Sequence, residues 1–377
     1  MTTISLAWIS LDFNLEIEED LVKWTSIIKQ NTWLTSFYHD NNSVQDYCFI
    51  DISGTKKAIE NEFGQGKKVI TDRAMLDSLF KTLQDNDAQF SYIICDVYFE
   101  VDSDDDSAFE ATLRRIPNAI FPYQFDGDSV RLPVIPNIPV GYSGYYSSSG
   151  IGLKDSFMKY TLIEKDTMVS IPLRVLSNLR NQTIRRSMGF VWLDGIPQLN
   201  TIIPDMKIHP RKLYADNGFS RIISLEDILI MRNESDMIRT LVKDKIIVIG
   251  DFEGDLHETI YGKMPGPLVL VNILEYIKDR NLFQDLLAIL FITATYALLS
   301  YAILFYVQRP GSFYEKVREI SYPLIGSVGS RLIGFSFALY IVAVFSYFIF
   351  GVQFDILPLA TYLSIVAALK RHATRSK

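Results

Sequence analysis

The sequence predicts a mixed α/β domain on a mainly parallel sheet with helices on both faces, followed by a transmembrane bundle of three C-terminal helices. Two observations carry this. From residue 45 to residue 284, short β-rich apolar runs alternate with amphipathic helical patterns, the order that produces a parallel sheet covered by helices. In the last quarter, three stretches carry no charge: Leu286–Val307, Leu332–Phe350 and Ile356–Leu369. The first, twenty-two residues long, makes a helix of roughly 33 Å, about the thickness of a bilayer core.

The elements follow in order. Residues 1–44 are an N-terminal segment leading into the domain. Residues 47–52 read as a strand. Residues 73–86 read as a helix, with Met75, Leu76, Leu79, Phe80 and Leu83 at helical spacing and Asp72 as its cap. Ser91 to Tyr98 is a buried strand, 106–115 a helix and 118–123 a strand. A helix covers 168–180 and a strand 188–193. Lys245 to Gly250 is a second buried strand, followed by a polar loop and a helix from Pro267 to Asp279. Two stretches break the alternation. Phe121 to Gly152 is proline-rich with a Tyr-Ser-Gly tract, and reads as a surface excursion or an edge hairpin with a loop. Asp194 to Ser224 reads as irregular. The three spans are placed at 286–307, 332–350 and 354–369, and residues 371–377 form a basic tail.

Positive charge orients spans. Arg309, Lys316, Arg318 and Arg331 lie between the first two runs, and Lys370, Arg371, Arg375 and Lys377 follow the third. The connection Gly351–Asp355 has no positive charge. Both basic segments are therefore expected in the cytoplasm, which puts residues 1–285 outside it. Met1–Ser10 has no basic n-region and no long apolar core, so an upstream span is expected to precede this start; the alternative is a cytoplasmic domain. None of the three runs holds an ionisable residue in its interior, which favours anchoring and signal transmission over transport.

The net charge of −7 argues against a nucleic-acid partner, which needs a basic face. The two cysteines, Cys48 and Cys95, lie in apolar runs and read as buried small hydrophobes, with one disulfide between neighbouring strands as the alternative. Their number excludes a disulfide scaffold. No nucleophile–base pair is visible, so no enzymatic activity and no cofactor are expected. Gly64-Gln65-Gly66-Lys67 lacks the spacing of a phosphate loop, since Lys68 stands where Ser or Thr is needed.

The segment Leu241–Leu282 reads LVKDKIIVIGDFEGDLHETIYGKMPGPLVLVNILEYIKDRNL. It resembles the closing motif of the CHASE type-2 family, extracytoplasmic sensor domains of bacterial membrane receptors. That motif is a strand ending in Gly, an Asp-rich loop, a Pro-Gly turn and a long Asn-bearing helix that leads into membrane spans. Lys245, Gly250, Asp255, Thr259, Pro265, Gly266 and Asn272 fall into that order. Ala74–Phe99 looks like the family's helix and its Phe-Asp-Val-x-Phe strand, and Asp106–Phe121 like the helix and strand that follow. Two positions depart: Ile260 follows Thr259 where the family has Pro, and Leu270-Val271 precede Asn272 where it has His-Ala. The resemblance implies a sensor in a bacterial inner membrane, multi-pass, with its soluble domain outside the cytoplasm. The chain stops seven residues after Lys370, so the signal is expected to pass to a separate effector protein; homo-oligomers are compatible with this. The competing reading is a structural subunit of an envelope complex, and a third is a membrane-anchored hydrolase.

Ligands in open α/β sheets bind at the carboxyl ends of strands. Asp51 and Asp96 end two such strands and are candidates for one crevice edge. Asp96 is a charge in a buried strand, which either bonds backbone groups at the strand end or faces a ligand. The loop Asp251–Met264 adds Asp251, Asp255 and His257, and Asn272 follows on the helix. These six are the candidate ligand-binding residues. Their spacing matches no metal motif, so no metal is assigned. The run Asp102–Asp106 reads as the acidic entry to a helix, and the Tyr145–Gly150 tract as a solvated loop or a recognition surface.

Overall fold

The computed structural model describes residues 43–60, 67–86, 88–126, 129–143, 156–157, 159–165, 167–187, 190–213, 222–259, 261–280, 282–305, 339–352 and 356–375, with Thr25 and Ser336 as isolated positions. The expectations on the N-terminal segment, on Gly64–Gly66, on the Tyr145–Gly150 tract and on the basic connection Arg309–Arg331 lie outside these residues.

The centre is a seven-stranded sheet. Its order is Ile222–Ser224, Tyr47–Asp51, Ile246–Gly250, Tyr92–Cys95, Ala119–Asp126 and Ser129–Arg131, with Val140–Tyr142 also paired to Ala119–Asp126. Every pairing is parallel except the Ala119–Asp126/Ser129–Arg131 hairpin. Register explains how the apolar runs build two cores. Phe49, Val248, Ile94 and Ile120 lie level across four strands and project to one face, because side chains alternate along a strand. There they pack with Leu173 and Leu176 of the helix Ile171–Arg180 and with Val271 and Leu274 of the helix Gly266–Asp279. Ile50, Ile249 and Cys95 project to the other face, onto the helices Arg73–Asp85, Asp106–Leu113, Leu225–Ile230 and Ser235–Val242. A sheet buried on both faces needs continuous apolar strands, which Ile246–Gly250 supplies with every residue buried.

The Asp72 carboxylate caps the Arg73–Asp85 helix as expected, accepting from the Ala74 and Met75 N–H groups. Arg73 is itself buried: its guanidinium meets the Asp106 carboxylate and the Val101 carbonyl, and lies 5.2 Å from the centre of the Phe99 ring. This pair ties the first two helices together.

Three elements differ from the expectations. Ile222–Ser224 lies inside the stretch read as irregular yet forms the sheet edge, pairing Phe49 with Ile222. The strands Lys56–Glu60 and Lys67–Thr71 form a hairpin, and Ile184–Ser187, Phe190–Leu193 and Ile196–Leu199 form an antiparallel meander. The inter-strand disulfide is ruled out: Cys48 and Cys95 are free and buried, and Ile246–Gly250 lies between their strands. That puts the strands about 9–10 Å apart, beyond disulfide reach. Burial pushes the Cys48 thiol up to about 11, with Lys245 opposing.

Past the domain, one helix segment among the described residues, Asp285–Ala302, is long and apolar enough to cross a membrane. It lies in the helix Leu282–Phe305. The second expected span is described only as the shorter apolar helix Leu339–Phe350, and the third contributes the apolar stretch Leu359–Leu369 within the helix Ile356–Arg375. Ala288, Ile292 and Tyr296 face Leu339, Ala343, Leu359 and Leu363 in one cluster that also takes in Leu199 of the meander. Leu290 and Leu298 point outward.

Candidate functional site

Three strands of the central sheet end side by side. Asp51 lies opposite Gly250, and Ile249 lies opposite Cys95, so Asp51, Gly250 and Asp96 end on one line. Alternation puts all three on the face covered by the Gly266–Asp279 helix. That helix sits directly on Gly250: a Cβ there would lie 2.3 Å from Pro267 Cγ and 3.4 Å from Asp96 Cβ. The absence of a side chain is what lets the helix start against the strand end.

The candidate residues divide into two groups. Asp51 and Asp251 hold loops. Asp51 accepts from the Ser53 and Phe252 N–H groups at 3.0 and 3.1 Å and from the Ser53 hydroxyl at 2.7 Å. Asp251 accepts from the Gly254 N–H at 2.6 Å and from Lys56 Nζ at 2.8 Å. Burial pushes the Asp251 carboxyl up, but Lys56 and the Gly254 and Glu253 N–H groups outweigh it and hold the acid below its usual range. Asn272 is likewise committed. It is fully buried, accepts from the Ile208 N–H at 2.8 Å, and donates to the Ile208 and Leu268 carbonyls at 2.9 and 3.0 Å. Both of its donors are spent on backbone.

Asp96, Asp255 and His257 form the second group. His257 Nε2 lies 3.1 Å from Asp255 Oδ1. The hydrogen bond to Asp255 raises the imidazole above its usual value, burial opposes this, and the charges of Asp255 and Asp96 add to it. Asp96 is pushed up to about 7, first by burial and then by Asp255, with His257 opposing. The Asp255–His257 pair presses on the helix start as well. A Cβ on Gly266 would lie 2.2 Å from Asp255 Oδ2 and 3.0 Å from His257 Nε2. The result is a carboxyl raised toward neutrality by burial, beside a histidine–carboxylate pair. Tyr160 is raised by burial, with Ser170 opposing and Tyr142, Asp96 and Tyr123 adding to it. Sequence reasoning missed it because its neighbours are distant along the chain. Among the described residues, no group of three or more His, Cys, Asp or Glu side chains is placed to hold a metal ion.

A separate groove of about 250 Å³ opens between the Lys67–Thr71 strand and Val97–Val101. Its cations are already paired, Lys56 with Asp251, Lys68 with Glu100 and Arg73 with Asp106.

At the opposite end of the Gly266–Asp279 helix, the chain passes into the first apolar helix through a buried joint. Arg280 meets the Asp285 carboxylate, both side chains being at most 4% exposed, and donates to the Tyr276 hydroxyl at 2.6 Å. Asp285 also accepts from the Leu199 N–H at 3.1 Å. The Gly351–Val352 turn closes the same place, lining a small cavity with Arg280, Thr201 and Ile203. Sequence reasoning took Asp285 only as the boundary before an apolar run.

Comparison with protein families matches the CHASE2 domain over residues 26–303. No curated protein and no solved structure matches the chain.

Proposed function

From the premise that this chain belongs to the CHASE2 domain family, a family of extracytoplasmic sensor domains, we propose that it is a membrane-anchored sensory subunit. Its α/β domain perceives a ligand or protein at the Asp96–Asp255–His257 crevice. It signals through three C-terminal spans to a separate effector protein across a bacterial inner membrane.

The observation that carries this reading is the joint at Arg280–Asp285. A domain tethered only for retention needs no ordered connection to its anchor. Here the last domain helix, the meander at Leu199 and the first apolar helix share one buried ion pair. The placement of the Gly351–Val352 turn supports the topology read from charge. A Cβ on Gly351 would lie 3.2 Å from the Tyr276 hydroxyl, so this turn and the start of the first apolar helix both lie on the domain side. On the topology expected from charge, the basic residues between the first two spans face the cytoplasm, where an effector would meet them.

The test is gentle solubilisation from the native membrane with a C-terminal tag and identification of what co-purifies. A kinase, cyclase or protease in near-equal amount supports the sensory reading. Stoichiometric envelope scaffold proteins, unaffected by His257→Ala, would overturn it in favour of a structural subunit.

A further inference from the structure

We propose that the hairpin Leu256–Thr259/Gly262–Pro265 is the lever that couples the crevice to the apolar bundle; this rests on the sensory reading of the same crevice. The hairpin stands outside the central sheet. Its four residue pairs run from Leu256–Pro265 at the base to Thr259–Gly262 at the tip, a reach of about 10 Å at strand spacing. Among the described residues, its other neighbour is the two-residue strand Ser156–Phe157.

The base lies in the crevice. The Asp255 carbonyl accepts from the Gly266 N–H at 2.8 Å, and the Asp255–His257 pair spans the first residues of the hairpin. The tip lies on the bundle. Thr259 Oγ1 donates to the Gly262 carbonyl at 2.7 Å and accepts from the Tyr261 N–H at 3.1 Å, and Gly262 takes a φ of +97° that closes the turn. This turn packs Tyr261 against the cluster that Ile203 forms with Tyr347, on the helix Leu339–Phe350, and against the main core. Tyr347 is 1% exposed, so displacement of the tip must displace the second apolar helix or open a void beside it. The strand Gly262–Pro265 also runs straight into the helix that ends at Arg280. One short element therefore touches the crevice at its base and reaches two of the three apolar helices, one by packing and one by covalent continuity.

The test uses the full chain in lipid nanodiscs, with spin labels at Leu298→Cys and Ile349→Cys. Both positions face outward on different helices, and the two native thiols are buried. His257→Ala, which opens the Asp255–His257 pair, is expected to shift the label separation by about 1–2 Å, the size of a helix shift in coupled systems. In the double variant with Tyr261→Ala, that response should fall below half. An unchanged separation in His257→Ala, or an undiminished response without Tyr261, overturns the lever. Should His257→Ala fail to fold, Asp255→Ala opens the same pair and is read in the same way. Accessibility of the Leu298 label to oxygen rather than to an aqueous paramagnetic chelate tests the membrane reading by itself, so failure of the lever and failure of that reading give different results.

Discussion

The guanidinium of Arg280, just past the last domain helix, closes on the carboxylate of Asp285, five positions on in the first turn of the first apolar helix. Both groups are buried, and both have further partners, the Tyr276 hydroxyl and the Leu199 N–H. Removing one partner of such a pair leaves an uncompensated buried charge.

Asp285→Ala is therefore expected to destabilise the joint by about 3–5 kcal/mol, with protease cleavage appearing between Arg280 and Leu286 before the domain unfolds. Arg280→Met with Asp285→Leu, which removes both charges, should recover much of that loss. Limited proteolysis with mass mapping decides it, and equal sensitivity of the single and double variants would show that the pair is not what orders the connection.

Asp96 gives the domain a pH dependence with a definite sign. Its folded value, about 7, lies above the ordinary 3.8, so the folded state holds the proton more tightly than the unfolded chain. The stabilisation is full below pH 3.8 and is lost as pH rises to about 7. His257, also raised, contributes stability that is full below its ordinary 6.5 and lost as pH rises through its folded value, in the same direction. Asp96→Asn should flatten the lower part of this slope and raise the melting temperature at pH 8, by about 2–4 °C for each kcal/mol relieved. Thermal melts from pH 4 to 8 check it.

Gly250→Ala places a methyl 2.3 Å from Pro267 Cγ. The helix start must retreat from the crevice, at a cost of about 1–3 kcal/mol for an overpacked core site. The loss should appear as a lower denaturation midpoint, and an unchanged midpoint would mean that the Gly266–Asp279 helix does not sit on the strand end.

Asn272→Leu tests whether that residue stitches the fold. The variant leaves the Ile208 N–H and carbonyl without their partner, each worth about 1–3 kcal/mol when buried and unsatisfied. A large drop in melting temperature in the absence of any added ligand is expected. Full stability would return Asn272 to the ligand-binding candidates.

The central strands and most helices were legible because their signals are local. Continuous apolar runs such as Ile246–Ile249 can only be buried on both faces, and the spacing of Leu76, Leu79, Phe80 and Leu83 admits one helix face. Ile222–Ser224 was not legible, because three half-exposed residues become a strand only through pairing with Phe49, far away in the chain. The Lys56–Glu60 hairpin was hidden for a related reason: its polar, charged strands carry little alternation. In the crevice, the sequence pointed to Asp96, Asp255 and His257 as polar groups near strand ends. It could not show that Asn272 is spent on Ile208, 64 positions away. The three uncharged runs were plain, but length and composition support one crossing helix among the described residues.

The strand Ile246–Gly250 lies in the middle of the sheet, between Tyr47–Asp51 and Tyr92–Cys95, yet it is the last of the seven to be synthesised. Until residue 250 has left the ribosome, its two neighbours flank an empty slot with unpaired apolar edges on both sides. Such edges recruit other chains. The strand that fills the slot is followed, one hairpin and one helix later, by the first apolar helix. Completion of the fold and delivery of the anchor are thus nearly simultaneous, and a nascent chain halted before residue 246 would be a substrate for chaperones and proteases rather than a smaller version of the domain.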